Sequence, residues 1–182
     1  MLQIVVPSAD LFDENTNSFI QTNETVLKLE HSLLSISKWE SKWQKPFLSS
    51  KAGEKRTPYE MLDYIKCMTL NTNVNDDIYL ALSTDNIKEI NKYITAPMTA
   101  TTIYSRKPNP IDKETITSEL LYYYMITYNV PFECEKWHLN RLIMLLRVCA
   151  VKNNTKKMSK SELASHNRAL NAARRKRLGT RG

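Results

Sequence analysis

Glu135-Lys-Trp-His138 sets a carboxylate and an imidazole at i and i+3, the spacing by which carboxylate-bridged two-metal sites draw ligands from one helix. Cys134 lies four residues before His138, so on a helix a thiolate shares their face. A two-metal site of that kind needs a second copy of the motif, and no other Glu-x-x-His occurs. The remaining histidines, His31 and His166, fall in sequence segments unrelated to it. The same Cys134–His138 spacing suits a thiol nucleophile and its base, yet no clustered glycines stand nearby to form an oxyanion loop. The expectation is therefore a packed or helix-capping His138, with no catalytic residue, no metal and no cofactor.

Composition narrows the chemistry further. The 182 residues contain three glycines, Gly53, Gly179 and Gly182. Phosphate loops and dinucleotide fingerprints need clustered glycines so that backbone amides can approach phosphate, and a nucleophile elbow needs a Gly-x-Ser-x-Gly run. Both classes are excluded. Cys67, Cys134 and Cys149 are an odd number without Cys-x-x-Cys spacing, which reads as reduced core thiols rather than a disulfide framework. Residues 142–151 form the longest strongly apolar stretch, interrupted by Arg147 and far short of the ~18 residues a membrane span requires. The N-terminal residues Met1–Pro7 lack a basic region and a long apolar core, so no secretion signal is expected.

Charge divides the chain. The formal net charge is +7, but residues 152–182 hold ten Lys or Arg against the single acid Glu162, a net of +9. Residues 1–151 therefore sum to −2. The basic pI describes the tail and not the body. Arg168, Arg174, Arg175, Lys176 and Arg177 are the candidate contacts of this tail, toward phosphates or toward an acidic protein surface.

The elements that must position these residues are mostly helical. Leu2–Val6 and Glu24–Leu29 alternate apolar and polar residues and predict an antiparallel ribbon. Between them the sequence reads as Pro7 and a polar loop with Asp10, Asp13, Asn15 and Asn17. A helix is expected from Ser32 or Ser35 to Lys45, with Leu33, Ile36, Trp39 and Trp43 on one face and Pro46 as its stop. Thr57-Pro-Tyr-Glu60 is a capping box with proline in the first turn and opens a second helix. A third runs from Ser83, Thr84 or Asp85 to Ala96-Pro97, and Thr101–Tyr104 reads as a short strand. Thr117–Tyr128 and Glu135–Lys152 are the most hydrophobic helices, the second expected as the buried centre because it is apolar nearly all round from Leu142. Ser159-Lys-Ser-Glu162 caps a last, basic helix ending at Gly179. The predicted class is mainly α: residues 1–152 form a helical body with a small N-terminal antiparallel β-ribbon, and residues 153–182 a basic C-terminal helical tail.

Aromatic residues offer the sharper binding candidates. Consecutive tyrosines on a helix point about 100° apart, so Tyr122, Tyr123 and Tyr124 cannot form one stacking face for bases. Tyr124 and Tyr128 are expected inside, with Tyr122 or Tyr123 at the surface. Trp39 and Trp43, at i and i+4 among lysines and a glutamate, read either as indoles laid on the body or as part of a partner groove. Trp39, Trp43, Phe47 and Trp137 are the candidate partner-binding residues.

Three phrases together carry a resemblance: residues 29–43 (Leu-Glu-His-Ser-Leu-Leu-Ser-Ile-Ser-Lys-Trp-Glu-Ser-Lys-Trp) followed by Lys45-Pro-Phe-Leu48, residues 130–142 from Val-Pro-Phe-Glu-Cys to Arg-Leu, and Asn167-Arg-Ala-Leu-Asn-Ala-Ala-Arg-Arg. They resemble the tail assembly chaperones encoded among the tail genes of long-tailed bacteriophages, over nearly the whole chain. The resemblance implies a non-enzymatic protein of the infected bacterial cytoplasm. It would escort the tape-measure protein, recruit tail-tube subunits around it and leave before the tail is complete. It carries over no catalytic residue and implies no cofactor. Two other classes stay open from the residues alone: a nucleic-acid-binding accessory protein acting through the basic tail, and a minor virion protein near the head–tail junction.

Overall fold

The computed structural model describes residues 1–13, 17–48, 56–103, 115–153 and 160–179. Six α-helices and four short strands are found among these residues, so the architecture is mainly α. β1 (Leu2–Val6) pairs antiparallel with β4 (Thr25–Leu29), in the register Leu2–Leu29 through Val6–Thr25. The alternation read in the sequence puts Ile4, Val6, Leu27 and Leu29 into the core and Gln3, Val5, Val26 and Lys28 outside.

The intervening segment is not simply a polar loop. β2 (Ala9–Asp13) and β3 (Ser18–Thr22) form a second hairpin, with Phe12 opposite Phe19 and ring centroids 5.2 Å apart on its exposed face. Polar residues masked a weak period-two pattern in which Leu11, Ile20 and Thr22 face inward. The Thr22 hydroxyl fixes the hairpin base by bonding both the amide and the carbonyl of Ala9, each at 3.1 Å.

α1 (Leu33–Trp43) starts where Ser32 accepts a hydrogen bond from the Ser35 amide. It ends earlier than Pro46: Gln44 turns left-handed at φ 52° and its amide closes on the Glu40 carbonyl at 2.7 Å. α2 (Pro58–Met68) opens with the reciprocal Thr57–Glu60 capping box and Pro58 in its first turn. A 3-10 turn (Asp76–Tyr79) leads to α3 (Thr84–Thr95), capped by Ser83. Residues 101–103 are not strand: among the described residues the named strands pair as β1–β4 and β2–β3, and neither ladder includes this segment. Tyr104 lies outside the described residues.

α4 (Ser118–Thr127) and α5 (Leu139–Asn153) are joined through a 3-10 turn (Phe132–Lys136). α5 therefore begins four residues later than Glu135. It is not the buried centre either. Leu139, Leu142, Leu146 and Ala150 bury a single stripe, while Arg141 is exposed and most of the other apolar side chains are only half-covered. The centre is α1, which packs on α2, on α4 and on the 3-10 turn before α5. α6 (Lys160–Leu178) ends where Gly179 takes φ +65°, a conformation a side chain would oppose. Its proposed cap, Ser159, lies outside the described residues. No helix among the described residues is long and apolar enough to cross a membrane.

Candidate functional site

The 3-10 turn overturns the helix-face reading of Glu135, Cys134 and His138. Cys134 and Glu135 sit inside the turn and His138 precedes α5, so the three do not share a helical face. Cys134 is buried, and burial followed by the nearby Glu133 pushes its thiol pKa up, opposite to what an activated thiolate needs. The Glu135 carboxylate instead accepts the Tyr122 hydroxyl at 2.7 Å. No group of three or more His, Cys, Asp or Glu among the described residues is placed to hold a metal ion.

His138 has a structural position of its own. A carbonyl oxygen can only accept, so the 3.0 Å contact from Nε2 to the Tyr93 carbonyl places the proton on Nε2. Nδ1 then accepts the Asn140 amide at 3.3 Å at the start of α5. The sequence reading missed its neighbour. His31, placed by β4, brings its ring to 5.1 Å from His138, edge to face, and its carbonyl accepts the Leu139 amide at 2.7 Å. The His31 Nδ1 bonds the Tyr64 hydroxyl. Burial, then His138 and Arg56, lower the His31 pKa from 6.5 to about 3, and burial lowers that of His138. This cluster is sealed, with His31 at 2% exposure, and joins β4, α2, α3 and α5 at one point.

Of the four aromatic candidates, two are interior. Trp39 is 1% exposed and its indole N–H donates to the Glu60 carbonyl at 2.9 Å. Phe47 is 5% exposed, set edge-on to Trp39 and against Tyr64, with the Arg56 guanidinium 3.9 Å from its ring. Neither presents a contact face, because both are enclosed between α1 and α2. Trp137 is half-buried under Arg141, whose guanidinium lies 4.2 Å from the ring. Trp43 is half-buried and donates its N–H to Asp63 at 2.8 Å. Among the tyrosines, Tyr124 is buried and Tyr123 is 58% exposed, as helical phase requires.

Two adjoining hollows open beside α2, and Trp43 lines the smaller of them. Between α2, the 3-10 turn after it and α3 runs a groove of about 450 Å³. Ile65 and Ile90 form its buried floor, Met61, Leu82 and Ile87 its walls, and Leu80, 61% exposed, its rim. The amphipathic phase of α3 makes this surface: Ile87 and Ile90 turn toward α2, while Lys88 and Glu89 face solvent. A second hollow of about 300 Å³ continues past Leu62, Tyr79 and Leu80, lined by Trp43, Tyr59 and the carboxylates Asp63, Asp76 and Asp77. Lys42 pairs with Asp63, and Lys66 with Asp76 at 3.1 Å. The trough is thus apolar at one end and aromatic and acid-rich at the other. Sequence reasoning missed Leu80, Leu82 and Ile87. The signal was present, since Ile78-Tyr-Leu-Ala-Leu82 is a run of five apolar residues directly after an Asn/Asp-rich stop.

The basic candidates lie on α6, where Arg168, Arg174 and Arg175 are exposed. Lys176 and Arg177 belong to the same helix, but their side chains lie outside the described set. Comparison of the chain with protein-family models, with curated proteins and with solved structures finds no match.

Proposed function

We propose that this protein is a non-enzymatic tail assembly chaperone that binds the tape-measure protein and helps recruit tail-tube subunits. The observation that carries this reading is the open apolar groove of about 450 Å³ between α2 and α3, continuous with an acid-rich aromatic hollow. An amphipathic helix lays apolar residues at i, i+3 or i+4 and i+7 into a groove of this shape. A tape-measure protein, as a long helical client, offers such stripes repeatedly along its length. Apolar client residues cover Leu80 and Ile87, and client lysines or arginines next to the stripe meet Asp77, beside the Lys66–Asp76 pair. A groove of this size takes one short client stripe at a time, so individual contacts are weak and tube subunits competing for the same stripes displace the chaperone.

The test is co-purification after nuclease treatment, with tagged protein expressed beside the neighbouring tail genes. Recovery of the tape-measure protein with the native chain, and its loss with Leu80→Asp, supports the reading. Leu80 is 61% exposed, so the substitution leaves the melting temperature near that of the native chain. Recovery undiminished by Leu80→Asp removes the groove from the reading, and failure to recover any tail protein removes the reading itself.

A further inference from the structure

We infer that the β2–β3 hairpin is a receptor for a basic helix, and that the helix it takes is α6 of a second copy of this chain. The register sets Asp10 opposite Gln21 and Phe12 opposite Phe19, and all four are exposed on one face of the hairpin. The two rings pair with centroids 5.2 Å apart, with Phe12 52% and Phe19 70% exposed. Next to them, at the hairpin base, opens a hollow of about 280 Å³ lined by Ser8, Asp10, Gln21, Thr22 and Asn23. Asp10 is the charged side chain of that lining.

A carboxylate in a polar hollow beside exposed ring faces takes a cation and repels an anion. Residues 1–27 hold four carboxylates, Asp10, Asp13, Glu14 and Glu24, and no Lys or Arg. Residues 28–151 carry sixteen Lys or Arg against fourteen acids, so the acid excess of the body lies wholly in the N-terminal segment. Phosphate, whether of nucleic acid or of lipid, meets like charge there. A guanidinium suits both parts of the site, because it stacks on a phenyl face and pairs with a carboxylate. Two hairpins meeting face to face set acid against acid, which argues against a symmetric contact between arms.

The chain itself supplies the complementary element. Residues 152–182 carry a net charge of +9. On α6, Arg168 and Arg175 are exposed, fall on one face and stand two turns, about 10 Å, apart. Asp10 and Phe12 are two residues apart on β2, about 7 Å, a difference that flexible arginine stems span. The sequence of α6 also includes Leu163, Leu170 and Leu178, residue types that cover exposed aromatic anchors. The side chains described on α6 are all exposed, so the helix is not laid on the arm of its own chain. The contact is therefore between copies, arm to tail, and each added copy presents a further arm, so assembly grows head to tail. It is independent of the α2–α3 groove.

The experiment is sedimentation velocity of the nuclease-treated full chain over a wide range of concentration. It is run at about 50 mM salt and again at about 500 mM, where screening weakens ion pairs. The arm variant, Phe12→Thr/Phe19→Thr, keeps strand-forming residues at two exposed positions. The tail variant, Arg168→Gln/Arg174→Gln/Arg175→Gln, keeps helix-forming residues on α6. Circular dichroism and melting temperature show that each keeps its fold. The native chain is expected to grow beyond a dimer with concentration, less so at high salt, and each variant alone to associate about tenfold or more weakly. Mixed, the two variants are expected to stop at a one-to-one pair: the arm of the tail variant takes the tail of the arm variant, and nothing further adds. A native chain that is monomeric once nucleic acid is removed overturns the assignment. So does an arm variant that assembles as the native chain does, or a mixture in which the two variants do not pair.

Discussion

His31 and His138 meet edge to face with ring centroids 5.1 Å apart, where the His31 carbonyl receives the first amide of α5. Both imidazoles are buried and neutral, with Tyr64 and Tyr93 as partners and Arg56 close enough to oppose protonation of His31. His31 has a folded pKa of about 3 against 6.5 when unfolded, so the unfolded chain binds the proton more readily. Its contribution is fully present above pH 6.5 and is lost as pH falls toward 3. His138 shifts in the same direction. Urea midpoints at pH 6.5 and 5.5 should show a fall of about 1 kcal/mol from His31. Glu60, held low by Lys45 and the Thr57 amide, stays ionised across that interval and does not contribute. His31→Gln should flatten the dependence, and an equally steep curve in that variant would assign the acid sensitivity elsewhere.

Glu40 is 7% exposed and ties three segments together. One carboxylate oxygen accepts the Phe47 amide at 2.6 Å, and the other accepts the Ser118 amide at the first residue of α4, at 2.7 Å. Two backbone donors thus converge on one acceptor pair. Glu40→Ala leaves both amides buried without it and should cost roughly 3 to 5 kcal/mol. Glu40→Gln keeps one acceptor but turns an N–H₂ toward the second amide, so it should recover only part of that loss. Chemical denaturation of the three proteins checks the order.

The α2 start depends on Thr57, whose hydroxyl accepts the Glu60 amide at 3.2 Å while the Glu60 carboxylate returns to the Thr57 amide at 2.7 Å. Thr57→Ala should cost about 1 kcal/mol and Thr57→Ser much less, because only the hydroxyl is needed. Melting temperatures of the two variants decide it. A loss with Ser equal to that with Ala would point to the methyl group and not to the cap.

That cap was legible in the sequence because a capping box is a local device, completed within four residues. The β1–β4 pairing was legible for a similar reason, since alternation declares each strand without knowledge of its partner. The rest depended on tertiary contact. Glu135–His138 carried helix-forming residues, yet the 3-10 turn from Phe132 held them short of α5, whose first amide goes to His31. No local pattern links His31 to His138. The β2–β3 hairpin was hidden because Asp10, Asp13 and Asn17 dominate its composition, while Leu11 and Ile20 make the face that packs. The basic character of α6 was plain from composition, whereas the groove arose from two helices and a turn that only the fold brings together.

Trp39 and Trp43 share a helix and stack at 6.1 Å, yet they should behave as different kinds of residue. Trp39→Phe keeps most of the buried ring but removes the N–H that satisfies the Glu60 carbonyl, and should cost about 1 to 3 kcal/mol with client binding intact among folded molecules. Trp43→Ala removes a half-buried ring from the edge of the acid-rich hollow. Its Asp63 partner keeps Lys42, so no charge is left alone. Stability should fall by about 1 kcal/mol while recovery of the client drops several-fold, because an indole at a contact contributes more to binding than to the fold beneath it. Denaturation midpoints and client recovery measured side by side separate the two roles. Equal client recovery by Trp43→Ala and the native chain would return Trp43 to the body as packing alone, leaving the groove at Leu80 and Ile87 to hold the client without it.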